Sequence, residues 1–169
     1  MSNDNFFSSK GIVFDDSQQG LTKEDINNLI SSEFNGKDFL VNFYLSNNGG
    51  YFSNGAFFYR DKILNITPDD YSVLEIEGFY FIEGESCFES EYLLSINEVL
   101  SRRVRYSQFI KDFAKEHIPF AVDAGDNDYW INTNTGEIKY IRRDLEDQVI
   151  KVAPTFYDFC INIEPSRRV

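Results

Sequence analysis

The chain has little of the chemistry on which most enzymes and metalloproteins depend. Its 169 residues include two cysteines, one histidine and four prolines. Cys87 and Cys160 match neither a paired-cysteine nor a zinc-binding pattern, so we expect reduced core thiols in a reducing compartment. The single histidine, His117, stands at a predicted helix end, where histidine commonly contacts the last carbonyls. We therefore predict no catalytic residues, no bound metal and no cofactor.

Long apolar runs are also missing. No stretch approaches the roughly 20 apolar residues of a membrane-spanning helix, and residues 1–10 lack the apolar segment of a signal peptide. We therefore expect a cytoplasmic protein. Because 42% of the residues are hydrophobic, including 17 Phe, the chain can build a core without disulfides or metals. We predict one domain over residues 1–169, with residues 1–10 as a loose arm.

Basic residues are scarce in the first part of the chain. Asp and Glu total 28 against 16 Lys and Arg, which gives a net charge of −12. Residues 1–100 contain 17 of these acids and 5 of the bases, so the whole excess lies there. Nucleic acids and anionic membranes both attract basic surfaces, so this composition argues against either as a partner. A basic protein partner is favoured instead.

No lysine or arginine occurs between Lys62 and Arg102, although acids are frequent there. Aromatic residues such as Phe79 and Tyr80 are interleaved with them. Most charge runs only keep a surface solvated, but aromatic anchors among carboxylates also suit recognition of a basic protein. The predicted partner-binding surface comprises Asp69, Asp70, Tyr71, Glu75, Glu77, Glu83, Glu85, Glu89 and Glu91.

A second acidic group occupies one predicted turn, at Asp123, Asp126 and Asp128. Clustered carboxylates can hold calcium or magnesium, but the spacing here does not match a calcium-binding loop. Aspartates in turns also commonly hydrogen-bond the backbone. We predict that these three residues contribute to partner binding, and a small metal-dependent hydrolase that uses them stays open as an alternative.

Hydrophobic periodicity predicts several helices and strands. The predicted helices are one from Thr22 to Asn35, one from Asp38 to Leu45, a stretch from Leu93 to His117 with a break near 102–105, and one that follows Thr155. The predicted strands contain residues 12–14, 57–59, 73–82, 120–122, 129–131, 138–140 and 150–152. Trp130 and its two neighbours are expected in a central strand with at least one face in the core.

Three segments in this order resemble the SUKH superfamily, the group of the yeast cell-wall synthesis regulators and many bacterial toxin-immunity proteins. The segments are 39–50 (FLVNFYLSNNGG), 118–141 (IPFAVDAGDNDYWINTNTGEIKYI) and 149–163 (VIKVAPTFYDFCINI). The resemblance implies an α+β fold, with a mixed or largely antiparallel sheet and helices packed around it. It also implies a non-enzymatic immunity protein that binds and neutralises a cognate toxin, such as a nuclease. A regulatory scaffold that binds a housekeeping partner is the alternative.

Overall fold

An antiparallel sheet forms the centre of the molecule. The computed structural model describes residues 5–85 and 93–165. The helices within these ranges are α1 (Lys23–Leu29), α2 (Lys37–Ser46), α3 (Ile96–Arg103), α4 (Gln108–Phe113) and α5 (Phe156–Ile161). The strands are β1 (Phe14–Asp15), β2 (Gly50–Tyr59), β3 (Val73–Phe79), β4 (His117–Val122), β5 (Asp128–Asn132), β6 (Ile138–Arg142), β7 (Gln148–Ala153) and β8 (Ile163–Glu164).

The strands follow the chain order across the sheet, from β1 to β7, and β8 pairs with β2. Each of these neighbouring pairs is antiparallel. β1 pairs with β2 at Tyr51 and Phe52, whereas β8 pairs with it at Phe57 and Phe58. The single-domain α+β fold that the sequence implied is therefore confirmed.

Helices cover both faces of the sheet. On one face, Phe43 of α2 and Phe156 of α5 join a large core that includes Tyr129 of β5. On the other face, Ile110 of α4 packs against Trp130 of β5. Because successive side chains of a strand point to opposite faces, Tyr129 and Trp130 enter different clusters. The prediction that Trp130 lies in a buried central strand is confirmed.

Side-chain caps determine where several helices begin. The Thr22 hydroxyl accepts a hydrogen bond from the Asp25 backbone N–H, and the Asp25 carboxylate accepts one from the Thr22 N–H. Such a capping box satisfies two donors that the helix leaves unpaired. The predicted first helix was too long, since α1 ends at Leu29. Gly36 instead adopts φ = 86° at the start of α2.

The beginning of the described chain belongs to the core and not to a loose arm. Phe7 is fully buried, and its ring centroid lies 5.1 Å from that of Phe14 and 5.2 Å from that of Phe52. Burying a phenylalanine side chain contributes about 1.5–3 kcal/mol. The polar residues around Phe7 suggested an arm, but this burial holds the segment against the sheet.

The helical stretch after Leu93 breaks near the predicted position, between α3 and α4. Ser107 caps α4 by accepting a hydrogen bond from the Ile110 N–H, so Tyr106 precedes the helix and is 79% exposed. The predicted apolar stripe is therefore shorter than expected, and α4 ends at Phe113, before His117.

Within the ranges described, none of the helices has the length and apolar character needed to cross a bilayer.

Candidate functional site

The outward side of β3 carries two glutamates. Leu74 and Ile76 are buried in the core, and strand alternation places Glu75 and Glu77 on the opposite side. Glu75 is exposed, whereas Glu77 accepts a hydrogen bond of 2.9 Å from the Tyr51 hydroxyl on β2. This hydrogen bond raises the pKa of Tyr51. The acidic strand therefore presents both of its carboxylates away from the core.

The acidic residues before β3 lie at one end of this strand. Asp69 is exposed, and Asp70 forms an ion pair of 3.0 Å with Arg60. The Tyr71 ring is 37% exposed and lies 5.4 Å beneath the Arg142 guanidinium. Asp70 and Tyr71 are therefore already engaged with cationic side chains of the same chain.

The acidic residues after β3 lie at its other end. Glu83 accepts a hydrogen bond of 2.5 Å from the Ser95 hydroxyl, and Glu85 is exposed. The predicted Glu89 and Glu91 fall outside the residues that the structure describes. Since the seven residues of β3 span about 20 Å at a rise of about 3.3 Å each, the predicted surface is a long band along the strand.

Asp123 organises the turn between β4 and β5. Its Oδ1 atom accepts hydrogen bonds from the Gly125 N–H at 2.9 Å and from the Asn127 N–H at 2.8 Å. Its Oδ2 atom accepts a hydrogen bond from the Tyr140 hydroxyl. These contacts match the interpretation in which turn aspartates bind the backbone, and they leave the side chain half-buried.

Asp126 and Asp128 both bind Arg103, the last residue of α3. Arg103 Nε lies 2.6 Å from Asp128 Oδ2, and Arg103 Nη2 lies 2.8 Å from Asp126 Oδ1. The Tyr80 hydroxyl donates to Asp128 at 2.6 Å, and Arg143 binds Asp126 at 3.0 Å. This network ties α3 to the β4–β5 turn.

The two aspartates differ in exposure. Burial raises the pKa of the Asp128 carboxyl, and the hydrogen bonds from Arg103 oppose that rise. Partial burial acts in the same direction on Asp126, but its two arginine partners outweigh it and lower the pKa. Because the Asp128 side chain is fully buried, it offers no surface to a partner, and we remove it from the predicted binding residues.

Asp126 and Asp128 share Arg103, whereas Asp123 binds the backbone of its own turn and the Tyr140 hydroxyl. Among the residues described, no three His, Cys, Asp or Glu side chains are grouped so that they could hold a metal ion. The arrangement of Asp123, Asp126 and Asp128 therefore serves the turn and the α3 contact.

A cleft of about 240 Å³ is lined by one residue of the first predicted acidic group, Glu77, and by two of the second, Asp123 and Asp126. β3 pairs with β4 only at Gly78–Val122 and Phe79–Ala121. Beyond these pairs the chain enters the Asp123 turn, so β3 and the turn separate and leave a cleft between them. Its lining residues are Tyr51, Glu77, Gly78, Phe79, Tyr80, Leu93, Leu94, Val122, Asp123, Ala124 and Asp126. The sequence did not predict this cleft, because Glu77 and Asp123 are distant along the chain.

His117 is held in place by contacts within the fold. Its Nδ1 atom lies 2.9 Å from the Phe113 carbonyl oxygen, as its predicted position near a helix end indicated. Its ring stacks on Phe113 at 3.7 Å, and Nε2 lies 3.0 Å from Lys139 Nζ. Burial lowers the pKa of His117 to about 4. The ring is therefore neutral at pH 7 and engaged on both nitrogens.

The free Cys160 is fully buried, and burial raises the pKa of its thiol well above the usual value. Since thiolates and not thiols are nucleophiles, this cysteine is a core residue. Cys87 lies outside the described residues.

Of the comparisons with known proteins, the one with family models agrees with the resemblance of the three segments. No curated protein and no solved structure gives a significant match. A family model described as SMI1 / KNR4 family (SUKH-1) matches residues 37–162, from the start of α2 to the residue after α5. The match includes β2 to β7 and the residues of the cleft. Since it covers most of the chain, the protein belongs to the SMI1 / KNR4 family (SUKH-1).

Proposed function

We propose that this chain is a cytoplasmic immunity protein that binds and neutralises a basic toxin domain, such as a nuclease. The SUKH family is known for toxin-immunity proteins, and its members generally bind protein partners. Membership therefore supports binding as the activity. That the partner is a toxin and that this toxin is basic are our proposals.

The acidic band along β3 is the observation that carries the proposal. The chain has a net charge of −12, and no lysine or arginine occurs in the sequence between Lys62 and Arg102. Asp69, Glu75 and Glu85 are exposed along this band. Carboxylates in such an arrangement attract a cationic protein over a Debye length and orient it before contact.

Inhibition in this proposal is stoichiometric and needs no turnover. A nuclease binds the phosphates of its substrate with basic side chains. Carboxylates presented by the immunity protein would occupy those side chains, and the bulk of the bound domain would block the substrate path. His117 and Asp128, whose side chains are of the kind that act as general acids or bases, are buried and engaged within the fold.

The proposal is tested with the product of the gene immediately upstream, which we expect to be a basic toxin domain. We expect the association rate to fall steeply when the salt concentration rises from about 20 to about 200 mM, because screening shortens the range of charge attraction. Reversing Asp69, Glu75 and Glu85 together to lysine should slow association and abolish protection of cells. The matched control reverses Asp112, Glu116 and Glu146, which are exposed acids of the C-terminal half.

The control separates the acidic band from total charge, since both triple variants change the net charge equally. Association that ignores salt, or a band variant that still protects cells, would contradict the proposal. Binding to a host housekeeping protein in place of the toxin would favour the regulatory scaffold.

A further inference from the structure

We infer that the cleft between β3 and the β4–β5 turn receives an arginine side chain of the toxin and is the anchor point of the interface. This inference rests on the proposed function and specifies one contact within it. The acidic band attracts the partner, whereas the cleft fixes its position.

The size of the cleft suits one side chain. Its volume of about 240 Å³ lies below the range of about 300–1,000 Å³ that is typical of pockets for drug-sized ligands. Leu93, Leu94 and Val122 supply apolar walls. A long side chain with an aliphatic stem and a charged head can bury its stem against such walls and keep its head at a polar site.

The charge of the cleft is complementary to a cation. Glu77 accepts a neutral hydrogen bond from Tyr51. Asp123 accepts two hydrogen bonds at each oxygen, all from neutral groups of the turn and Tyr140, so its charge is present but its acceptor sites are occupied. In the described part of the chain, neither carboxylate forms an ion pair. Asp126 differs, since Arg103 and Arg143 already compensate its charge. Two uncompensated carboxylates therefore line an otherwise partly apolar cleft.

Arginine fits these features better than lysine. Its planar guanidinium can donate two hydrogen bonds to one carboxylate, here that of Glu77, and can stack on an aromatic ring. Tyr51 and Tyr80 both line the cleft. Tyr80 is buried, but the half-buried Tyr51 ring offers a stacking surface. A lysine head group, by contrast, is a compact, strongly hydrated point charge.

The cleft is also organised before binding. The Tyr51 hydroxyl orients Glu77, and the turn contacts orient Asp123. Groups that are already held in position lose little conformational freedom on association, so more of the contact energy appears as affinity.

The first test uses the whole protein and a blocked arginine, N-acetyl-arginine amide, followed by two-dimensional NMR. We expect saturable shifts at the amides of Gly78, Val122 and Ala124, and none with the neutral citrulline analogue. Glu77→Gln should weaken this binding, and Ala124→Trp should block it. The control, Glu116→Gln, removes one exposed acid that does not line the cleft and should bind as wild type. Shifts spread over the whole acidic surface would overturn the inference.

The second test measures toxin binding by two neighbouring glutamates of β3. Glu77→Gln should raise the dissociation rate by about tenfold, as expected for loss of a close charge pair. Glu75→Gln should slow association slightly and leave dissociation unchanged, because Glu75 does not line the cleft.

The two ideas fail in different ways. Tight toxin binding that neither Glu77→Gln nor Ala124→Trp alters would overturn the cleft inference and leave the proposed function standing. A wild-type protein that does not bind the toxin would overturn the proposed function, and the anchor role would fall with it.

Discussion

At the scale of single residues, the only histidine of the sequence shows how burial keeps an ionisable side chain neutral. His117 lies between the Phe113 ring and the Lys139 ammonium group, and Asn132 Nδ2 lies 3.4 Å from its Nε2 atom. A positive charge on the ring would be desolvated and would face Lys139. The folded protein therefore keeps the ring neutral.

This neutral ring makes stability depend on pH. The pKa of His117 falls from 6.5 to about 4 on folding, so the unfolded chain binds a proton that the folded chain does not. The contribution of the neutral His117 ring to the free energy of unfolding is fully present above pH 6.5 and is lost as the pH falls towards 4. Urea unfolding at about pH 7.5 and about pH 5.5 should show this loss, since most carboxylates titrate lower, near about pH 4. In His117→Gln the difference between the two pH values should shrink, and an equal loss in both proteins would contradict this assignment.

Asp128 and Asp126 allow a comparison of two carboxylates that share one arginine. Removing one partner of a buried ion pair typically costs about 3–5 kcal/mol, whereas an exposed pair contributes about 0–1 kcal/mol. We expect Asp128→Ala to lower the free energy of unfolding by the larger amount, because it leaves the buried Arg103 with only the exposed Asp126 as its ionic partner and removes the acceptor of the Tyr80 hydroxyl. Asp126→Ala is the matched control and should cost far less in chemical denaturation. Equal costs would show that the Tyr80–Arg103–Asp128 contacts contribute little.

At the scale of elements, Arg60 connects the β2–β3 loop to the edge of the sheet. Its side chain is almost fully buried, and Nε donates a hydrogen bond of 2.7 Å to the Lys151 carbonyl of β7. Nη1 donates to the Tyr71 carbonyl at 2.8 Å. An edge strand otherwise presents unpaired backbone groups, and Arg60 occupies one of them on β7.

Arg60→Met should therefore loosen β7 without changing the fold elsewhere. We expect faster amide hydrogen exchange in β7 and in the loop at Tyr71, and unchanged exchange in β5. The control is Lys62→Met, which removes a partly exposed ion pair with Glu164. Uniformly faster exchange throughout the sheet would indicate a global loss of stability and would contradict a local role.

The connection between β5 and β6 could be predicted from the sequence only in part. The strands predicted at 129–131 and 138–140 pair as a hairpin, and Gly136 in the loop between them adopts φ = 85°, which glycine tolerates best. A side chain at this position would also collide with the Asn35 backbone oxygen. The sequence predicted the two strands, but not that the loop between them packs against the segment between α1 and α2.

At the scale of the whole molecule, charge repulsion opposes folding. The acids of residues 1–100 outnumber their bases by 12, and exposed like charges destabilise a compact state. Added salt screens them, so we expect the melting temperature to rise between about 10 and about 200 mM NaCl. Replacing exposed Asp69, Glu75 and Glu85 by glutamine should raise the melting temperature at low salt and reduce this dependence. A melting temperature that falls with salt would mean that ion pairs such as Arg60–Asp70 dominate.

The sequence by itself determined many of the local elements and the acidic character, and the resemblance of three segments to a known family indicated the fold class. Capping pairs such as Thr22 with Asp25 act within one helical turn, and strand alternation at Glu75 and Glu77 follows from a period of two. These signals involve neighbours in the chain. Composition likewise located the excess charge in the first hundred residues.

Only the tertiary structure decided which polar residues are available for binding. Asp123, Asp126 and Asp128 look alike in the sequence, yet one organises a turn, one is exposed and one is buried against Arg103. Their difference depends on α3, which is distant in sequence and reaches the turn through folding. The cleft has the same origin, because it forms where β3 and the β4–β5 turn diverge, and that geometry depends on long-range strand pairing.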